Sequence, residues 1–450
     1  MKKLFFTALV IISALAPSSC SHEPVTPDNA LQAYLNNSDK SFRWEVQEKQ
    51  ISEGAGLYRI LFTSQTWREI EWNHELMIIV PDMLESSDAL LFITGGSVKD
   101  GKPNIHEFTD DFVKAIGNIA VANKAVTAII WQVPNQPLYN DLTEDALITY
   151  TLYNYKQDKD FTWPLLFPMT KSAVRAMDVI QEFSAKETGK KVTGFVLSGA
   201  SKRGWTTWLA GASDNRVKAI CPMVIDVLNM PVNISYQKEV WGDYSVEIED
   251  YVKLGILEDL GSSDGNDLVK MIDPYSYRKA LTMPKMIFMA TNDPYWPVDA
   301  VKNYIDSIPG DNHICYTPNA GHNLGTKVKA LTTLSAFFGI TTNNGNYPDC
   351  NYEISGTDGT IAVTVRSEPG QIIDADLWIA DSDDPDFRDE EWTESDPERT
   401  GNDETVALIR YPENGYLAFY IDLKHKSPSG SEYTQSTRMF VADSVRIWLK

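Results

Sequence analysis

Between Val192 and Leu209 the chain passes from an apolar run, Val192 to Leu197, through Gly199-Ala200-Ser201-Lys202-Arg203-Gly204 into a stretch with helical character. The order is strand, turn, helix. A serine flanked by glycines at a strand-to-helix turn has its hydroxyl lifted clear of the sheet on a strained backbone, and Gly199 lets the chain bend tightly enough to do so. Serine is a weak nucleophile at neutral pH. It needs an imidazole to take its proton and a third group to fix the tautomer of that imidazole, so the rest of the chain is searched for both.

The surroundings repeat the alternation of strand and helix. The continuous apolar run Ala89 to Ile93 has the length of a strand buried on both faces, and Ala125 to Trp131, Val217 to Ile225, Met286 to Ala290 and His313 to Thr317 read as further strands. Helical patterns lie at Lys171 to Phe183, Val298 to Ile308 and Lys327 to Phe338. This order predicts βαβ units, a mainly parallel sheet and right-handed crossovers. Ahead of it, Phe42 to Pro81 alternates like an antiparallel meander. Leu228 to Thr282 breaks the pattern, and its Tyr236, Trp241, Tyr244 and Tyr251 among many acids suggest a helical lid over the carboxyl edge of the sheet, or an ordinary packing insertion.

At Thr341 to Asn346 the chain turns polar, which sets an expected boundary between a catalytic domain over 28–341, its lid over 228–282, and a sandwich-like all-β domain over 347–450. Within the latter, Asp381 to Glu398 carries ten acids against one Arg and reads as a solvated loop, with a calcium site as the lesser alternative. Two or three units suit 450 residues at a prior of ~150 per domain. A net charge of -22 repels phosphate backbones and anionic lipid surfaces, so nucleic acid is not an expected partner.

Met1-Lys2-Lys3 followed by the apolar run Leu4 to Ala16 reads as a secretory signal over residues 1–20. Small residues before Cys20 resemble a bacterial lipoprotein site, although Pro17 stands where Leu is usual. Export, with a lipid on Cys20 tethering the chain to a Gram-negative outer membrane or leaving it periplasmic, is the expected location. Cys221, Cys315 and Cys350 form an odd set, two of them inside apolar runs, so no disulfide framework is expected. These cysteines and the six histidines show no metal-ligand spacing. A mechanism with no metal and no cofactor is the default.

His322, in Pro318-Asn319-Ala320-Gly321-His322 after the last parallel strand, is the candidate base. Asp293, directly after Met286 to Ala290, is the candidate acid, with Asp226 held open because it ends a strand at the same edge. The order Ser201, Asp293, His322 is that of the α/β-hydrolase fold. For the oxyanion, the amide of Lys202 and that of Gly96, in Thr94-Gly95-Gly96-Ser97, are the candidate donors, with Thr94 where a histidine is usual. The Lys202 and Arg203 side chains would add positive charge, hold an acidic substrate group, or cap a salt bridge. Ester hydrolysis through an acyl-enzyme is favoured over peptide or amide cleavage by the same triad. A non-catalytic surface binding protein on this scaffold is the remaining alternative.

Three runs, Gly199 to Trp208, Arg216 to Ile220 and Val224 to Asn229, together with Pro318 to His322, resemble the PhoPQ-activated pathogenicity-related protein family. The likeness extends from about Tyr34 into the C-terminal segment, including Trp378 and Asp386-Phe387-Arg388. It implies an α/β-hydrolase-like domain in exported bacterial proteins, with a serine triad matching Ser201, Asp293 and His322 and a poorly defined substrate. Family members commonly carry a Gly-Asp pair before aromatic residues, whereas this chain has Asn292-Asp293-Pro294-Tyr295-Trp296. The basic residue after the serine is also locally similar to glucuronoyl esterases, which attack sugar-acid esters.

Overall fold

The computed structural model describes residues 24–449 other than 349, 358, 369, 400–403 and 428. The expected signal segment and Cys20 lie outside these. An antiparallel meander opens the fold with β1 (Arg43–Ser52), β2 (Ala55–Trp67) and β3 (Ile70–Pro81). Arg68 and Glu69 turn β2 into β3 at φ 48° and 66°, the left-handed pair that lets a two-residue hairpin follow the twist of its strands.

Next come β4 (Asp88–Ile93), β5 (Val126–Ile130), β6 (Gly194–Ala200), β7 (Val217–Met223), β8 (Lys285–Ala290) and β9 (Asn312–Thr317). They pair in parallel as β5-β4-β6-β7-β8-β9, and β3 joins β5 antiparallel. From β2 onward the order is therefore β2-β3-β5-β4-β6-β7-β8-β9 with β3 reversed, which is the α/β-hydrolase arrangement. Helices α1 (Asp111–Asn123), α2 (Glu144–Asp158), α3 (Leu166–Glu187), α4 (Lys202–Ser213), α5 (Met230–Trp241), α6 (Ser263–Ile272) and α7 (Val328–Thr342) surround the sheet.

Adjacent strand residues serve opposite cores, because successive side chains point to opposite faces. Leu90 and Phe92 join Ile79, Ile129, Val196 and Phe288 under α1 and α7. Leu91 and Ile93 join Ala128, Leu197 and Ile287 under α3 and α4. That two-sided burial is why these strands are apolar without alternation. Over the carboxyl edge, the insertion supplies α5, a short helix Glu249–Lys253, α6 and the 3-10 turns of Pro274–Ala280. The helix expected at Val298 to Ile308 is instead two 3-10 turns, Ala300–Asn303 and Ile305–Ser307, because Tyr304 at φ -144° interrupts it. Among the described residues no helix is long and apolar enough to cross a membrane.

C-terminally follow β10 (Asn351–Thr357), β11 (Thr360–Arg366), β12 (Asp374–Ser382), β13 (Thr393–Ser395), β14 (Glu404–Arg410), β15 (Tyr416–Lys426), β16 (Glu432–Ser436) and β17 (Phe440–Asp443). β10, β11 and β14 form one layer, whose Ile361, Val363 and Val365 pack on Leu377, Phe419, Ile421 and Phe440 of the facing layer. The facing layer continues the central sheet. β16 pairs with β9 at Ile314 and Ser436, so among the described residues a single sheet runs from β1 to β13, with β17 paired onto β15.

Two glycines predict opposite stability effects. A Cβ on Gly204 would lie 2.6 Å from Ile225 Cγ2 and 3.0 Å from the carbonyl oxygens of Gly199 and Met223. Since backbone cannot yield cheaply, Gly204→Ala is expected to cost about 1–3 kcal/mol. A Cβ on Gly117, inside α1, would meet only Ile79 Cδ1 at 3.8 Å, so Gly117→Ala should add about 0.5–1 kcal/mol through helix propensity. Urea unfolding midpoints test both, and a stabilising Gly204→Ala would contradict the packing.

Candidate active site

Ser201 joins β6 to α4 at φ 57° and ψ -126°, a region that a residue with a side chain occupies only when its surroundings hold it there. Here they do so from both sides. The Ser201 N–H donates to the Met223 carbonyl of β7 at 2.9 Å, and its own carbonyl accepts from Trp205 N at 3.0 Å in the first turn of α4. Gly199 must be glycine, because a Cβ there would sit 2.7 Å from the Arg203 carbonyl oxygen. Lys202 is the first residue of α4, where a helix leaves its amides without intrahelical acceptors and its dipole favours negative charge.

β8 and β9 deliver the other two groups to the same edge. His322 Nδ1 lies 2.8 Å from Asp293 Oδ2 and 3.0 Å from Oδ1. Asp293 is buried, and its Oδ1 also accepts from Tyr295 N at 2.9 Å, so the turn that follows the acid fixes its plane. The Tyr295 ring packs on His322 with centroids 4.2 Å apart. His322 Nε2 is buried and has no partner among the described residues. His322 and Ser201 line the same cavity, with no hydrogen bond between them. An imidazole held through Nδ1–H by a carboxylate keeps the Nε2 lone pair free to take a proton from a hydroxyl, and such contacts commonly tighten only when substrate binds.

The reserve acid, Asp226, makes no hydrogen bond to the histidine. Both oxygens of Asp226 are buried without a hydrogen bond of acceptable geometry. Burial pushes its carboxyl up to about 8, opposed by the adjacent Tyr304 hydroxyl and reinforced by the charges of Asp293 and Asp299.

Neither basic side chain after the serine is free. Lys202 Nζ pairs with Asp145 at 2.6 Å, and Arg203 forks onto both oxygens of Glu144 at 2.7 Å while its Nε donates to the Val133 carbonyl at 2.5 Å. Gln136 bridges onward, donating to Glu144 at 2.6 Å and to the Gly96 carbonyl at 3.3 Å. Gly95 packs so closely that a Cβ would fall 2.6 Å from Arg203 Nη2. Gly96, at φ 140°, is thereby tied to α4, although it is not among the residues lining the cavity. Asp145 and Glu144 were not candidates in the sequence. The available signal was an acidic dipeptide facing a basic dipeptide, Lys202-Arg203, across more than fifty residues.

The acidic stretch from Asp381 to Glu398 is more than the solvated loop expected. Phe387 and Trp392 are buried. Asn292 Nδ2, next to Asp293, donates to the carbonyls of Arg388 at 3.1 Å and Glu390 at 2.8 Å. Asn319, three residues before His322, donates to the Trp392 carbonyl at 2.9 Å and accepts from its N–H at 2.8 Å. One C-terminal segment thus grips both loops that carry the acid and the imidazole.

A family model described as PhoPQ-activated pathogenicity-related protein matches residues 31–388. Autocrine proliferation repressor protein A of Dictyostelium discoideum is 29% identical over 443 residues, covering 90% of this chain and 88% of that protein. Among solved structures, acetyl xylan esterase 1 from a Thermoanaerobacterium species is similar with a TM-score of 0.45 at 16% identity, over 66% of this chain and 88% of that one. A glucuronoyl esterase from Solibacter usitatus gives a TM-score of 0.35 at 13% identity, over 59% and 73%.

The Glu144 network predicts a specific acid response. Burial alone would raise the Glu144 carboxyl, but the Arg203 guanidinium, the Gln136 amide and the Lys202 charge hold it at about 2, below the ordinary 4.5. A carboxyl lowered in the folded state contributes in full above its unfolded value and loses that contribution as pH falls toward the folded one. Stability should therefore decline between pH 4.5 and about 2, and Glu144→Gln should flatten part of that decline in urea unfolding run across the interval. An unchanged slope would refute the assignment.

Proposed function

The chain belongs to the PhoPQ-activated pathogenicity-related protein family, and we propose that it is a serine hydrolase acting on carboxylic esters through Ser201, His322 and Asp293. The observation that carries this is an imidazole held by a buried carboxylate, with its second nitrogen unpartnered, on the wall of the cavity that Ser201 enters from a strained turn. In the proposed reaction Ser201 Oγ bonds to the ester carbonyl carbon as His322 Nε2 takes its proton. Collapse of the tetrahedral intermediate expels the alcohol, which receives that proton. Water, deprotonated by the same nitrogen, then releases the acid and restores the serine. The Lys202 amide at the start of α4 and the Gly96 amide on the loop after β4 would receive the oxyanion.

Treatment with a fluorophosphonate probe should label Ser201, and Ser201→Ala should abolish both labelling and hydrolysis of p-nitrophenyl esters. His322→Ala should lower kcat by about 10⁴–10⁶ and Asp293→Asn by about 10³–10⁴. Undiminished labelling of Ser201→Ala would refute the nucleophile. Turnover of amide reporters with no turnover of esters would move the proposal to an amidase.

Export and attachment through a lipid on Cys20 are part of the proposal, supported by the charged start, apolar run and small residues before that cysteine. Radiolabelled palmitate should enter the wild-type protein in a Gram-negative host and be lost in Cys20→Ser. Equal incorporation in both would refute the anchor.

A further inference from the structure

The cavity beside Ser201 is a narrow cleft, open to solvent on one side and lined mainly by apolar side chains, the kind of lining typical of small-molecule sites. Seven of its seventeen lining residues come from the insertion, Ile234, Ile248, Leu257 and Ile272 among them, and Ile225 and Trp205 belong to the sheet side. The polar groups on those walls mostly satisfy one another. Asp145 and Lys202 are joined at 2.6 Å, the Tyr251 hydroxyl donates to Asp145 at 3.0 Å, and Trp205 Nε1 donates to the Ile272 carbonyl at 2.6 Å. The side-chain N and O atoms left for a ligand are the Ser201 and Tyr295 hydroxyls, His322 Nε2 and the indole N–H of Trp296, whose last two have no partner among the described residues.

From this lining, and resting on the esterase reading of Ser201, we infer that the site selects esters with an aliphatic acyl chain well beyond acetyl, and that the insertion sets the chain length. A sugar ring would bring several hydroxyls into a space that offers few partners, and each one left unpaired disfavours binding. An acidic group would find both neighbouring cations engaged, Lys202 by Asp145 and Arg203 by Glu144. A methylene chain needs no partner, gains from every CH₂ removed from water, and would lie among lining residues such as Ile234 and Ile248 while its carbonyl stays at Ser201.

The test is kcat/KM on p-nitrophenyl acetate, butyrate, octanoate and laurate, with an acetylated sugar and a sugar-acid methyl ester for comparison. The expected result is a rise of about 4-fold per methylene until the cavity fills, at least 10-fold from acetate to octanoate. Ile234→Trp should lower the octanoate-to-acetate ratio at least 10-fold. If that variant fails to fold by circular dichroism, Ile234→Ala should move the optimum to a longer chain. Fluorophosphonate labelling of Ser201 together with best turnover on acetate, on the acetylated sugar or on the sugar-acid ester would overturn the acyl-chain inference and leave the esterase reading standing. Absence of both labelling and ester turnover would remove that reading and this inference with it.

Discussion

How closely α4 can approach the sheet decides whether Ser201 can be where it is. Three glycines set that distance. A Cβ on Gly199 would meet the Arg203 carbonyl, one on Gly204 would meet Ile225 and two backbone oxygens, and one on Gly211 would meet Ile220 Cγ2 at 2.8 Å. With all three absent, α4 lies against β6 and β7, Trp208 is fully buried beneath it, and the serine between strand and helix is forced to positive φ. The strain is held by packing along the helix, because a looser contact would let the turn relax into an ordinary strand end.

The remaining groups are held by braces that cross long stretches of sequence. Arg203 and Lys202 meet Glu144 and Asp145, linking the start of α4 to the start of α2 and, through Gln136, to the loop after β4. Asn292 and Asn319 meet the segment from Phe387 to Trp392. Because β16 pairs with β9, the strands from which that segment extends are anchored to the strand that leads to His322. The C-terminal layers therefore have a mechanical connection to the site that a tethered appendage would lack, and Arg388, stacked 4.1 Å from the Trp241 ring, extends it to the insertion.

What was legible in the sequence followed from burial on two faces and from glycine. Runs such as Leu90 to Ile93 are apolar throughout because both cores use them, and Gly199 and Gly204 announce a turn with no room for side chains. What was missed had no local signature. α2 carries no clear amphipathic stripe, since Leu147, Ile148, Thr149, Thr151, Leu152 and Tyr155 are all buried, so helical periodicity is blurred. Val298, Val301, Ile305 and Ile308 have a spacing that suits an α-helix and a pair of 3-10 turns nearly equally, and the break at Tyr304 is a backbone event. In the acidic stretch, charge concealed two buried aromatic residues, Phe387 and Trp392, whose backbone is held by partners about seventy or more residues away.

The choice between Asp293 and Asp226 shows why position at a strand end is insufficient. Three carboxyls crowd this edge. Asp299 is buried with Lys302 at 2.7 Å and the Tyr236 hydroxyl at 2.9 Å, and Asp293 has His322 and the Tyr295 amide. Among the described residues the Asp226 side chain meets no cation and no amide, so burial raises its carboxyl to about 8 and favours the protonated form near neutral pH. Ionising it would set a third negative charge in a low-dielectric space beside two others. A neutral acid cannot stabilise an imidazolium, whereas a carboxylate fixed on both oxygens can. The proposal of Asp293 as the orienting acid thus rests on which carboxyl the fold supplies with donors, here the Tyr295 amide of the turn that follows it and the His322 Nδ1–H.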